Sequence, residues 1–349
     1  MKSIEQLSPT ILNLIAQVDE FKGKWMKLKD LAPDRLDTLR KVATIASVGS
    51  STRIEGSKLS DGEVEAILSR IEKKAFQSRD EEEVAGYAEA MNLVFDVYED
   101  VHISENYLKQ LHSILLQYSS KDQRHKGEYK KLSNNVEAFD ETGKSLGIIF
   151  ETASPFDTPF KMADLVKWYG EKEPVKTLHP LLRVALFVVH FLAIHPFQDG
   201  NGRLSRVLTT LMLLQSGYAY VPYCSLESIV EENKDQYYRA LRAAQKTMYT
   251  DNSGLEKWLL FFMKTLKKQT ELLEDRISRE SVRSLSRLPK LSVTILKMVQ
   301  ENGQVKISDI LDVEDAHRNT VKKHLRKLVQ ENYLDVHGTG RGTYYTVKS

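Results

Sequence analysis

One stretch constrains this chain more than any other: His195-Pro196-Phe197-Gln198-Asp199-Gly200-Asn201-Gly202-Arg203-Leu204-Ser205-Arg206. An apolar run from Leu181 to Ile194 leads into it, and a second from Val207 to Leu214 leads out. The first run carries Arg183 and His190 and is too short to span a bilayer, so it reads as a buried core helix. The chain must therefore pack two core helices together and hold a polar, glycine-containing turn at their junction.

The chemistry of that turn follows from its residue types. Gly200 and Gly202 let the backbone bend so that several N–H groups point into one concavity, a nest for an anion. The helix that starts there adds unpaired donors and the positive end of its dipole. Arg203 and Arg206, three residues apart, share the first helical turns and can grip successive phosphates. Asp199 is a hard oxygen ligand in reach of the same phosphates, the usual way in which Mg2+ is held. His195 closes the preceding helix, and its near-neutral pKa suits it to take a proton from an incoming hydroxyl.

The rest of the chain is dominated by helical periodicity. Ile11, Leu14, Ile15 and Val18 repeat at helical spacing. Leu36, Leu39, Val42, Ile45 and Ala46 do the same, predicting a helix from about Asp34, after Pro33, into the Ser47–Glu55 region. Ser60-Asp61-Gly62-Glu63 is a capping box, the acidic Asp80–Glu83 opens a further helix, and Ser104 can cap the next. From Gly127 to Pro159 no helical period survives. Alternation at Val136–Phe139, a turn at Thr142-Gly143-Lys144 and apolar Leu146–Phe150 predict a β-hairpin, followed by a loop closed by Pro155 and Pro159. Helices resume at Met162–Tyr169, Pro180–Ile194 and Arg203–Ser216, the last with Gly217 as its C′ residue. Another helix carries Tyr237, Tyr238, Leu241 and Ala244, and Trp258–Leu266 runs into a charged helix or linker. Beyond Pro289, three short helices and a hairpin with the turn Gly338–Gly342 predict a winged helix-turn-helix.

The central stretch matches without gaps the signature HxFx(D/E)GNGRxxR and so resembles the Fic family. The resemblance covers roughly Asn106 to Leu266. It implies a mostly α fold, a helical core with a β-hairpin flap, here followed by the winged helix. The implied domains are an N-terminal helical region over 1–100 with an inhibitory helix, the catalytic core over 101–266, a helical linker over 267–287 and the winged helix over 288–349. Family members transfer AMP from ATP to a protein hydroxyl. By that resemblance His195 is the general base, Asp199 holds Mg2+, Gly200, Asn201 and Gly202 cradle phosphates, and Arg203 and Arg206 bind the distal ones. Relatives acting as kinases carry Lys where this chain has Gly202, which favours nucleotidyl transfer. The Asn135–Phe150 hairpin, with Asn135, Val136, Glu137, Ala138 and Phe139, stands where the family docks its target by strand addition. Tyr237 and Tyr238 resemble the pair lining the adenosine pocket, and Gln245 stands where some relatives have Asn.

Ser51-Thr52-Arg53-Ile54-Glu55-Gly56 resembles the family's inhibitory motif, (S/T)xxxE(G/N). Glu55 is expected to pair with Arg206 and take the fork that the γ-phosphate needs, with Ser51 and Gly56 completing the motif. Two alternatives stay open: a DNA-binding regulator whose core only senses nucleotide, for which a general base at His195 would be idle, and a transferase or de-AMPylase working on another phosphate-containing group.

Composition restricts partners. Lys and Arg total 50 against 48 Asp and Glu, a net charge of +2, so any nucleic-acid signal must be local. Such a signal exists in the last predicted helix and wing, where Arg318, Lys322, Lys323, Arg326 and Arg341 are candidate DNA contacts. The one cysteine, Cys224, permits no internal disulfide and reads as a structural thiol. With no basic-then-apolar leader at Met1–Gln6 and no membrane segment, a cytoplasmic protein is expected. Its expected partners are ATP, a target hydroxyl (self-modification included), DNA and a second copy of the chain as a homodimer.

Overall fold

A computed structural model describes residues 7–28, 33–73, 76–139, 145–171, 178–248, 254–286, 288–314, 316–330 and 333–348. The predicted turn at Thr142–Lys144 lies outside the described residues. The chain groups into two compact units, 1–22 with 39–270, and 23–38 with 271–349. Among the described residues no helix is long and apolar enough to cross a membrane.

The first unit is built around two helices, α7 (Pro180–Ile194) and α8 (Asn201–Gln215). The two pack against each other, joined by only the short polar turn. Pro180 stands at the start of α7, where its missing N–H costs nothing, and the His179 ring accepts a hydrogen bond from the Leu181 N–H at 3.3 Å. Apolar residues run all round α7, so most of its faces are buried, as expected of a central helix. Gly217, at φ 82°, ends α8 by donating its N–H to Leu214 at 2.8 Å.

Surrounding elements cover this pair. Helix α4 (Arg79–Val97) packs on α8 and on α5 (Glu105–Leu115), and α6 (Thr158–Gly170) packs on α7. The expected capping box opens α3 (Asp61–Ser69), with Ser60 and Glu63 bonded reciprocally. Helix α2 (Pro33–Ile54) ends at the expected inhibitory segment. Strands β1 (Val136–Phe139) and β2 (Ser145–Phe150) form an antiparallel hairpin with irregular register. One expectation needs correction: Pro159 does not close the loop before α6 but sits in its first turn, where proline is pre-organised for a helix. A short helix absent from the sequence reading, α9 (Leu226–Glu232), precedes α10 (Lys234–Thr247), and Ser225 caps it by accepting from the Ser228 N–H at 3.0 Å. The charged stretch after Leu266 is helical, part of α11 (Leu255–Ser286).

In the second unit α12 (Lys290–Asn302), β3 (Gln304–Val305), α13 (Ile307–Val313), α14 (Arg318–Gln330), β4 (Leu334–His337) and β5 (Tyr344–Val347) follow in order. The three strands form an antiparallel sheet of order β3-β5-β4, so the expected two-stranded hairpin gains a third short strand. Ile295, Val299, Val305, Ile310, Val321, Leu325 and Leu334 make its core.

Phe191 ties α7 to the site: it is fully buried and its ring lies 6.5 Å from both Phe187 and Phe197. Phe191→Ala is expected to cost about 3–5 kcal/mol in denaturant unfolding, the range for truncating a packed aromatic; a loss under about 1 kcal/mol would contradict this packing.

Candidate active site

The loop between α7 and α8 is shaped before any ligand arrives. Among the described residues His195 is the one non-glycine residue with positive φ, at 53°, a left-handed conformation that costs roughly 1–2 kcal/mol. It breaks α7 while its N–H still bonds Phe191 at 2.8 Å. Asn201 is buried and uses both ends of its amide on Phe197, accepting from the N–H at 2.9 Å and donating to the carbonyl at 2.7 Å. Its side chain thus closes the loop on itself, which narrows its expected phosphate contact to its backbone. Gly200, at φ 77°, starts α8.

A second ring of residues, unannounced by any motif, holds this loop. His112 is buried, stacks on Phe197 with centroids 3.8 Å apart, and has its Nε2 3.0 Å from the Asp199 carbonyl. A carbonyl only accepts, so Nε2 carries the proton and Nδ1 accepts from the Gly127 N–H at 2.9 Å. Burial, first of all, pushes the His112 pKa down to about 4, which keeps this neutral tautomer. Asn134 donates to the Phe197 carbonyl at 2.6 Å and the His195 carbonyl at 3.3 Å. Lys130 donates its ammonium to Ile194, Asn134 and Thr152.

The same tautomer argument fixes His195. Its Nδ1 lies 3.3 Å from the Leu192 carbonyl, so Nδ1 bears the hydrogen and Nε2 keeps its lone pair. Burial dominates in pushing its pKa down to about 4, with the Leu192 hydrogen bond and the Glu55 and Asp199 charges working against it and the Lys130 charge with it. The imidazole is a free base at neutral pH.

The acidic and basic groups around it are already paired. Asp199 accepts from the Gly200 N–H at 2.6 Å and ion-pairs with Arg79 at 2.9 Å and Arg203 at 3.5 Å. Burial opposes its ionisation, but Arg203, the Gly200 N–H and Arg79 hold its pKa below the usual carboxylate value. Arg203, 2% exposed, also pairs with Glu83 at 3.1 Å, while its Nε finds no acceptor among the described residues. Among those residues no three His, Cys, Asp or Glu side chains cluster as a metal cage. The ionised Asp199 fits a divalent ion that would take its remaining ligands from phosphate oxygens and water.

Arg206 is 7% exposed and donates to the Ser51 hydroxyl at 2.8 Å, the Ser51 carbonyl at 2.9 Å and the Glu55 carboxylate at 2.8 Å. Burial is the largest single influence and lowers its pKa, but the Glu55 charge, Tyr237, Tyr87 and the Glu55 hydrogen bond together raise it. Glu55 thereby lies across the first turn of α8. A Cβ on Gly202 would overlap Glu55 Oε1, so the glycine is what leaves room for this carboxylate. Gly56, at φ 111°, turns the chain away after it.

A pocket of about 700 Å³ joins these groups. Glu55, His195, Asp199, Gly200, Gly202 and Arg203 line one side; Tyr237, Tyr238, Leu241 and Gln245 of α10 line another, with Asn135 and Phe150 at the hairpin. Tyr237 is also packed against Trp258 and Phe261, so it serves the core as well as the pocket wall. The structure therefore brings Ser51, Glu55, Asn135, His195–Arg206, Tyr237 and Tyr238 to one place. The side chains of Val136–Phe139 lie outside the described residues, as does that of Arg341.

This geometry has sequence and structural counterparts. Residues 102–213 match the Fic/DOC family model. The chain carries a Fic/DOC domain. It is similar to Protein adenylyltransferase Fic of Drosophila erecta, 35% identical over 92 residues, 26% of this chain and 17% of that protein. It is similar to Protein adenylyltransferase fic-1 of Caenorhabditis elegans, 32% identical over 95 residues, 27% of this chain and 17% of that one. The matched stretch thus spans about a sixth of these curated relatives. The fold is shared with the crystal structure of a Fic family protein from Desulfovibrio desulfuricans G20, at a TM-score of 0.60 and 21% identity over 99% of this chain and 98% of that one.

Arg53, inside the Ser51–Gly56 segment, anchors the end of α2. It donates to both oxygens of Glu231 at 2.7 and 3.1 Å, to Asp61 at 3.0 Å and to the Leu59 carbonyl at 3.0 Å. Charge-assisted bonds of this kind contribute about 1.5–3 kcal/mol each where well formed. Arg53→Ala is expected to speed amide hydrogen exchange at residues 50–56 about tenfold, equivalent to about 1.4 kcal/mol of local stability. Unchanged exchange there would show that α2 is held without it.

Proposed function

We propose that this protein transfers AMP from ATP to a hydroxyl of a target protein and is held inactive by Glu55. The observation that carries the reading is the Arg206–Glu55 pair at 2.8 Å, a carboxylate seated at an arginine fork and a helix N-terminus inside a site otherwise built for phosphate. In the reaction His195 Nε2 takes the proton of the target hydroxyl, whose oxygen attacks the α-phosphorus; the bond to the β-phosphate oxygen breaks and pyrophosphate leaves. The α8 N-terminus, Arg206 and Arg203 receive the phosphates, Arg203 through its unused Nε. Mg2+ held at Asp199 would supply charge neutralisation on the phosphate oxygens. Tyr238, Leu241 and Gln245 supply a surface for the adenosine, and the hairpin a strand edge for the target.

With Glu55 on Arg206, the γ-phosphate cannot take its seat, and the α-phosphate is misaligned for in-line attack. Errors of about 1 Å in such alignment cost on the order of a hundredfold in rate. Glu55→Gly is therefore expected to raise AMP transfer from α-labelled ATP at least about tenfold, and His195→Ala in that background to abolish it. No gain on self- or lysate substrates, with the fold intact, would overturn the reading. Because the base is the neutral imidazole, the Glu55→Gly rate should stay flat from about pH 8 to about pH 5 and fall only toward pH 4, where His195 protonates. A tenfold fall between about pH 7 and 5.5 would place the base elsewhere.

For the second unit we infer a winged helix that binds duplex DNA. Helix α14 presents Arg318, Lys322, Lys323 and Arg326 to solvent, carries no acid, and buries Val321, Leu325 and Leu328 on its other face. Four phosphate contacts predict a loss of about a hundredfold in affinity between about 50 and 200 mM salt, and Lys322→Glu with Lys323→Glu should abolish retardation of duplex DNA. Binding absent at low salt would assign α14 to a protein partner.

A further inference from the structure

Lys130 belongs to no motif and lies in the one part of the core without helical period, yet it bonds both ends of the hairpin and the backbone on either side of His195. It is 3% exposed. Its ammonium has three protons and three acceptors: the Asn134 side-chain oxygen at 2.7 Å, the Thr152 hydroxyl at 2.8 Å and the Ile194 carbonyl at 3.1 Å. All three are neutral oxygens. Burial of a cation without a carboxylate partner is costly, and burial, with the Lys161 charge adding to it, pushes its pKa down to about 8. A fold that accepts such a cost uses the group.

The three acceptors show what it is used for. Ile194 is the last residue of α7, directly before His195. Asn134 is the entry to the hairpin, and Thr152 the exit, two residues beyond β2. The Lys130 N–H also donates to the Pro196 carbonyl at 2.8 Å, so His195 is bracketed on both sides by one residue. Entry and exit are further joined to each other, the Thr152 hydroxyl donating to Asn134 at 3.0 Å and the Thr152 N–H to Asn135 at 3.2 Å. Asn134 then passes the connection on to the His195 and Phe197 carbonyls.

We propose that Lys130 is a positioning residue that couples the hairpin, where a target segment docks, to the strained His195 that accepts its proton. The inference rests on the transferase reading for its consequence, but the coupling itself is a property of this chain. A target strand added to the hairpin pulls on Asn134 and Thr152, and both are hydrogen-bonded to the ammonium that also holds the carbonyl before His195. The charges facing His195 are Lys130, Glu55 and Asp199, and Lys130 is the one that disfavours the imidazolium. Lys130 thus holds the imidazole in place and adds to the burial that disfavours its protonation.

The test uses the full chain with 13C-labelled histidine, the His195 signal being assigned by its loss in His195→Gln. In Lys130→Met the His195 titration midpoint should move up from about 4, and amide exchange across residues 134–152 should speed about tenfold or more. Lys130→Arg, which keeps the charge, should hold the midpoint near the wild-type value. In the Glu55→Gly background Lys130→Met should raise KM for the protein target and lower kcat together, while KM for ATP stays within about twofold. A folded Lys130→Met with the midpoint and hairpin exchange of the wild type would overturn the proposal. Should Lys130→Met not fold, Thr152→Val removes one acceptor and must speed hairpin exchange; no change there also overturns it. If Glu55→Gly transfers no AMP at all, the transferase reading falls, while titration and exchange still decide the role of Lys130.

Discussion

A guanidinium that is almost wholly buried needs an anion, and Glu55 supplies one to Arg206 at 2.8 Å. The α8 N-terminus asks for negative charge at the same point. Gly202 leaves the space, since a Cβ there would overlap the carboxylate that fills it. In the function proposed above, a nucleotide phosphate competes with Glu55 for the same place. Neighbouring residues hold the Arg206–Glu55 pair in place. Ser51 gives Arg206 two further acceptors, its hydroxyl and its carbonyl, which orient the guanidinium. Arg53 fastens the end of α2 to Glu231 and Asp61, so that Glu55 is delivered by a fixed helix terminus rather than a loose loop.

Beside this pair the loop between α7 and α8 is densely hydrogen-bonded. His112 beneath Phe197, the Asn201 amide closed on Phe197, and Asn134 and Lys130 from the preceding segment hold the backbone carbonyls from Ile194 to Asp199 by at least one bond each at five of the six positions that matter: Ile194, His195, Pro196, Phe197 and Asp199. That density explains how a histidine persists in a left-handed conformation. It also fixes the ring tautomer through Leu192, so the lone pair on Nε2, the proposed base, is set by the fold. Donors aimed in advance need no reorganisation when charge develops on the phosphates.

Local features of this architecture were legible in the sequence, and long-range ones were not. The central stretch could be read because its groups lie within twelve residues and act through backbone geometry that glycine and a helix start dictate. The caps at Ser60, Ser104 and Gly217 were legible for the same reason. Glu55 could be paired with Arg206 only through a motif, since nothing in the periodicity of α2 points 151 residues ahead. Lys130 and His112 carried no signal, and Glu83 only that of a helix start: each acquires its meaning from a partner brought close by packing. Arg53 was in view, inside the segment already singled out, but its partner Glu231 lies on α9, a helix too short to show a period. Pro159 misled because proline serves a loop end and a helix start equally well.

The account stands on the exclusion between Glu55 and phosphate at Arg206. The most direct measurement is the crystal structure of the protein soaked with ATP and Mg2+, determined for wild type and for Glu55→Gly under the same conditions. The account predicts γ-phosphate oxygens within hydrogen-bonding distance of Arg206 in the variant, and in the wild type an Arg206 still bonded to Glu55 with the triphosphate displaced from α8. The same triphosphate position in both, with Glu55 in place, would contradict it.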